Sequence, residues 1–242
     1  MSDSGTRLFA RYAYPPNALG YCGPEGASVL LRADATAEIA ARARAFQGAW
    51  AYLEFIARSA DIADPLDARV VEAYWIGNDL LDRVPPAALA AFLRRRFAGQ
   101  EGGSWASAQD RAVAHHSFHV FEVYPWLGLL RRTGNPAAVS VLDRCRIRTG
   151  TVRAVHGPTA TVVSRPLIWT DGTLTSGPPA DEVVRTLPRD VESGDRVALH
   201  WDWICDVLTP AQQTAIEEQE HRRLDTLFQP NPGAASTSPK RQ

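Results

Sequence analysis

Three cysteines in 242 residues are too few, and the wrong parity, for a disulfide framework. That scarcity points to a reducing setting, so a cytoplasmic location is the expectation. Long apolar runs are missing as well. None approaches the roughly 18 residues a bilayer span needs, so no membrane is expected as a partner. Met1-Ser2-Asp3-Ser4-Gly5 leads into no apolar segment, and no signal peptide is expected. Charge of either sign is not in surplus. A formal net charge of −1 gives no electrostatic reason to expect nucleic acid. There is no glycine-rich phosphate loop between a strand and a helix, no nucleophile elbow, and no internal repeat.

What is there resembles an ordinary globular chain, 45% apolar and 22% charged, long enough for one large domain or two small ones. Its first half reads as helices. Leu8 to Asn17 begins as a short helix that Pro15 and Pro16 should end. Thr36 or Asp34 is placed to cap a helix running to about Ser59, with Ile39, Phe46, Trp50, Leu53 and Ala57 as one buried stripe. Asp64-Pro65 opens the next, with Val70, Val71, Tyr74, Trp75 and Leu81 inward. Pro85-Pro86 precedes a helix over Ala87 to Phe97, with Arg94-Arg95-Arg96 on its solvated face. After a Gly102-Gly103 loop, a longer helix is expected from about Trp105 to Leu130, bent at Pro125. Gly134-Asn135-Pro136 should end the helical domain, 1–136.

From Val139 the pattern becomes short β-type runs. Val152–Val155 and Ala160–Val163 read as a hairpin around His156-Gly157-Pro158. Pro166–Trp169 and Thr173–Thr175 read as a second. Glu182–Leu187 and Arg196–Trp201 supply further strands. Thr209, Pro210 and Gln212 then form the capping box of a helix with Ile216, Glu220, Leu224 and Leu227 on one stripe. The fold class expected is α+β: an N-terminal all-helical domain, then a small antiparallel OB-like β-barrel with a C-terminal helix over 139–228. The Pro/Ser/Ala-rich tail, 229–242, should be disordered.

Two clusters carry chemistry. Cys145 opens the first strand region and His200 closes the last, so the two meet if the strands close on themselves. Thiolate is a soft ligand for iron, zinc or copper(I), and imidazole a borderline one. Arg144, Arg146 and Arg148 flank Cys145 and are expected to lower its pKa. The competing reading is a cysteine that packs and a histidine that ends a strand. The second cluster is His115, His116, His119 and Glu122. On a helix, His115 and His119 share a face with Glu122, and a metal there needs further ligands such as Cys22, Glu54, Glu72 or Asp79. It is not His-Glu-x-x-His, which excludes that zinc-protease motif. The competing reading is a histidine bonded between packed helices. Asn78-Asp79 reads as a solvent-facing pair, Cys205 as packed.

From Cys145 to about Leu227 the chain resembles the HypC/HupF family of [NiFe]-hydrogenase maturation chaperones. The family pattern Cys-x-x-x-Pro-Gly-x-Val corresponds to Cys145-Arg146-Ile147-Arg148-Thr149-Gly150-Thr151-Val152. Gly157, Ala160 and Val162 follow its Gly-x-x-Ala-x-Val segment. Val191, Gly194, Asp195, Val197 and His200 match Val-x-x-Gly-Asp-x-Val-x-x-His. The family cysteine stands next to the initiator methionine, whereas Cys145 follows about 140 residues; the family proline is Thr149, and the Gly-Phe-Ala after its histidine is Trp201-Asp202-Trp203. The whole chain also resembles an uncharacterised bacterial family with a helical domain ahead of such a barrel. The resemblance implies a non-enzymatic maturation factor or adaptor. It implies Cys145 and His200 as ligands of a transiently held Fe(CN)2CO fragment, and a HypD-like scaffold or the hydrogenase large subunit as partner. The alternatives are a metal- or haem-binding enzyme centred on Cys22, His115, His116, His119 and Glu122, and a metal-free interaction module.

Overall fold

The structure is a computed structural model that describes residues 3–99, 108, 110–187 and 190–228. The expected loop at Gly102-Gly103, the helix start at Trp105 and the tail 229–242 lie outside the described residues.

The first half is helical, as the apolar spacing requires. Helix α1 spans Asp3–Ala18, α2 Thr36–Ala43, α3 Gln47–Ser59, α4 Ala68–Trp75 and α5 Pro86–Arg96. The expected stripe Ile39, Phe46, Trp50, Leu53 and Ala57 is buried in one core. The single helix expected to Ser59 is two, because the chain turns at Arg44–Phe46 before α3. Thr36 and Asp34 do not cap: Thr36 Oγ1 donates to Asp3, and Asp34 pairs with Arg32. Asp64-Pro65 does not open α4 either. Asp67 is its N-cap, accepting from the Arg69 N–H at 2.9 Å.

Two corrections bear on the site. Helix α1 does not stop at Pro15 but runs through both prolines to Ala18. Each proline lacks an N–H and so frees the carbonyl four residues back, at Arg11 and Tyr12. Hydrogen bonds from Leu19 to the Pro15 carbonyl and from Tyr21 to the Pro16 carbonyl carry the last turn past them. The long helix expected to Leu130 is broken. His116–Phe118 is a single turn, α6, followed by a π turn over His119–Val123. Helix α7, Trp126–Thr133, starts after Pro125.

Helix α8, Pro136–Cys145, occupies the segment where strands were expected to begin. Asn135 caps it and Pro136 suits its first position, so Gly134-Asn135-Pro136 starts a helix as well as ending one. Cys145 therefore ends a helix rather than opening a strand.

Among the described residues seven strands follow: β1 Arg148–His156, β2 Thr159–Ser164, β3 Leu167–Thr170, β4 Thr173–Ser176, β5 Ala180–Thr186, β6 Arg196–His200 and β7 Trp203–Val207. Both expected hairpins form, β1–β2 and β3–β4. Five strands close a barrel in the order β1-β2-β5-β7-β6, and β3–β4 stands apart as a two-stranded sheet. With β3–β4 set aside, this is the Greek-key order of an OB-like barrel. Every pairing is antiparallel except β5 with β7. That exception is forced, since five strands cannot alternate direction all the way round a ring. Val152, Val162, Val184, Val197 and Leu199 fill the interior. Gly150 must be small there, because a Cβ would lie 2.4 Å from Val162 Cγ1. Helix α9, Pro210–Phe228, begins with the expected capping box: the Thr209 and Gln212 side chains each accept from the other's backbone N–H. Among the described residues no helix is long and apolar enough to cross a membrane.

Candidate metal centre

Strand β1 pairs with β6 so that Arg148 lies opposite Leu199. Continuing this ladder one step brings the end of β6 beside the segment leading back to Cys145, and the Trp201 N–H donates to the Arg144 carbonyl at 2.7 Å. Cys145 and His200 therefore do meet. Their third neighbour comes from the helical half. His116, at the start of α6, donates from Nε2 to the Cys145 carbonyl at 2.8 Å. This satisfies a carbonyl that the end of α8 would otherwise leave without an intrahelical donor. Among the described residues, His116, Cys145 and His200 offer one ligating atom each, all within 4.8 Å of one another, and all three are buried.

The proton positions follow from the partners. His200 Nδ1 lies 2.7 Å from the Tyr12 carbonyl, the one freed by Pro16. A carbonyl only accepts, so Nδ1 carries the hydrogen and Nε2 bears the lone pair. That Nε2 has no hydrogen-bond partner among the described residues. His116 is fixed likewise: Nε2–H faces the Cys145 carbonyl, leaving Nδ1 to accept from the Tyr74 hydroxyl at 3.2 Å. His200 has the arrangement of a metal-bound imidazole, one nitrogen donating to a carbonyl and the other open to ligate, whereas His116 Nδ1 would first have to give up the Tyr74 hydroxyl. Burial pushes the His116 pKa down to about 4, against a smaller opposing effect of the Cys145 carbonyl. Burial, then the neighbouring His116, hold His200 well below the ordinary value. Both rings are neutral at pH 7.

The triad lines a cavity of about 450 Å³ between α1, α3, α4, α6, α8 and the β6–β7 turn. Trp75 packs on both rings, 4.7 Å from His116 and 5.7 Å from His200 between centroids. Trp201 takes a positive φ of 53° in the tight turn after His200 and stacks on Tyr21 at 4.1 Å.

Residues 1–230 match a family described as a family of unknown function (DUF6390). The chain belongs to that family. No curated protein and no solved structure matches it.

The donor set favours a transition metal. One thiolate and two imidazoles suit zinc, copper or iron, and three protein donors facing a cavity leave coordination positions open. Cys145 is a protonated thiol as it stands. Burial pushes its pKa up, Cys22 nearby adds to the rise, and the Trp201 indole works the other way. The expectation that arginines would lower it fails for a clear reason. Arg144 pairs with Asp202, Arg146 with Asp143 and Glu220, and Arg148 with Glu182, so each cation is neutralised. A metal ion binding there would have to displace the proton, which would make its binding pH-dependent.

The second expected cluster separates. His116 joins the barrel pair. His119 and Cys22 line the same cavity but lie outside the 4.8 Å triad. His115 caps α6 through Nδ1, which accepts from the Ser117 N–H at 3.1 Å. Glu122 is fully buried between Arg111 and Arg223, at 2.7 and 2.6 Å. The π turn is the cause: a regular helix was needed to align His115, His119 and Glu122. Asn78 caps a short 3-10 turn, and Cys205 is packed. Tyr12, Tyr74, Trp75 and Trp201 were not read as site residues. Pro16 was the available signal, since a proline inside a helix frees the carbonyl four residues before it.

Proposed function

We propose that this chain binds a metal fragment through Cys145, His116 and His200, as an accessory factor of [NiFe]-hydrogenase maturation rather than as an enzyme. The observation that carries the reading is the convergence of these three buried donors, from two halves of the chain, on one cavity. Coordination arithmetic favours an iron cargo that brings its own ligands. Three protein donors with two cyanides and a carbonyl make six, the octahedral number. The HypC/HupF-like spacing of Cys145 and His200 supports the same cargo, and His116 takes over what a mobile chain-terminal cysteine lacks, a fixed third donor. The partner on this reading is a HypD-like scaffold or the hydrogenase large subunit, and the setting is cytoplasmic.

The test is Mössbauer and infrared spectroscopy of protein purified without oxygen from its native host, beside Cys145→Ala. Iron with cyanide and carbonyl bands in the wild type, lost in the variant, is the expected outcome. Metal bound without those bands would keep the centre and discard the hydrogenase cargo. Iron retained by Cys145→Ala would move the function away from the triad.

A further inference from the structure

The same cavity holds a surplus of hydrogen-bond donors that the metal reading does not use. Trp75 and His119 line it, and Trp75 Nε1 and His119 Nε2 are buried without a partner among the described residues. An indole N–H can only donate. The His119 Nδ1 lies 3.3 Å from the Tyr52 hydroxyl, and with that hydroxyl donating, Nε2 carries the hydrogen. Burial pushes the His119 pKa down to about 3, so the ring is a neutral donor.

A third set of donors lies beside His119. Helix α3 has no side-chain cap, and its first intrahelical bond runs from Trp50 to Phe46. The N–H groups of Gln47, Gly48 and Ala49 have no acceptor within the helix, and all three residues line the cavity. A Cβ at Gly48 would lie 2.9 Å from His119 Nε2, so a residue without a side chain is what allows that approach. Among the described residues no Asp, Glu, Lys or Arg lines the cavity. Leaving buried donors unmet is costly, and an occupant rich in acceptors removes that cost.

We propose that this cavity binds a small monoanion, cradled by Trp75 Nε1, His119 Nε2 and the first backbone N–H groups of α3. The helix dipole favours negative charge at that end, and the neutral donors supply direction. The anion sits beside the metal triad in the same cavity but does not need a metal to bind. The site therefore takes two things, a soft cation on the barrel side and an anion on the helical side.

Azide is the probe, since its infrared stretch distinguishes bound from free ion. It is titrated into metal-free protein and into cobalt-loaded protein, with thiolate-to-cobalt charge transfer reporting the metal separately. The expected result is a shifted, narrowed azide band in both wild-type samples. Affinity should fall at least about tenfold in Trp75→Phe and in His119→Phe, each of which removes a donor and keeps a ring. Gly48→Ala, which pushes on His119, should weaken it as well. Free azide alone in both samples would mean the donors are met by water, and overturns the proposal. Azide bound equally by wild type and both ring variants also overturns it, since the metal or a different site would then hold the anion. Missing cobalt charge transfer would sink the metal reading and leave a bound-azide band standing.

Discussion

His200 is read by two hydrogen-bonding facts that depend on each other. The Tyr12 carbonyl fixes the proton on Nδ1, and among the described residues no donor meets the lone pair on Nε2. Removing the ring by His200→Ala takes the Nδ1 donor away from that buried carbonyl, so stability should fall by about 1–3 kcal/mol beyond the loss of packing, measured by urea unfolding. His200→Asn, whose amide can still donate, should recover part of it, and equal losses would contradict the role given to Nδ1. The histidines also predict a pH dependence. His115, His116 and His119 have pKa values pushed down to about 3, 4 and 3 by burial, and His200 is lowered too. Unfolded histidines take up protons below about pH 6.5, whereas these rings refuse them in the fold. Stability is therefore complete above that pH and declines as pH falls toward about 4. The slope approaches about 1.4 kcal/mol per pH unit for each ring. Unfolding midpoints that stay level from neutral pH to about pH 5 would contradict this.

At the scale of elements, Pro16 connects helix α1 to the site. Pro16→Ala restores an N–H that competes with His200 for the Tyr12 carbonyl. Helicity should be kept, while metal affinity falls about 10- to 100-fold because the imidazole loses its orienting partner. Metal titration with circular dichroism separates the two effects, and unchanged affinity would remove Pro16 from the account. Elements were legible where pattern and packing agree. The stripe from Ile39 to Ala57, the hairpin about Gly157 and the Thr209–Gln212 cap all form, because alternation, turn chemistry and capping are local. They were illegible where tertiary contacts override local rules. Two prolines stay inside α1 because its last carbonyls find other donors. The π turn at His119 and the α8 helix ahead of Cys145 depend on packing that periodicity does not report. Strand β7 was missed because Trp203-Ile204-Cys205, buried throughout, shows no alternation.

Across the whole molecule, the helical and barrel halves share one core: Ala198, Cys205, Leu208 and Ile216 pack with residues of α1 to α5. A buried ion cluster reinforces the connection, with Glu122 of the π turn held by Arg111 and by Arg223 of α9. Glu122→Gln leaves Arg223 buried with its charge uncompensated, so denaturant unfolding should show a loss of about 3–5 kcal/mol. A loss below about 1 kcal/mol would mean that the cluster is solvated rather than structural. This joining of halves also explains what the sequence concealed about the centre. Cys145 and His200 were legible as a pair because β1, which begins just after Cys145, and β6, which ends at His200, are neighbours in the barrel. His116 was read with a different cluster, since no spacing along the chain relates position 116 to 145 or 200. Only the packed fold makes one site of them.

X-ray absorption of zinc-loaded protein tests that joint site most directly. The account predicts one sulfur at about 2.3 Å and two imidazole nitrogens at about 2.0–2.1 Å, with the sulfur lost in Cys145→Ser and one nitrogen lost in His116→Ala. A shell of nitrogen and oxygen alone, or a sulfur that survives Cys145→Ser, would contradict it.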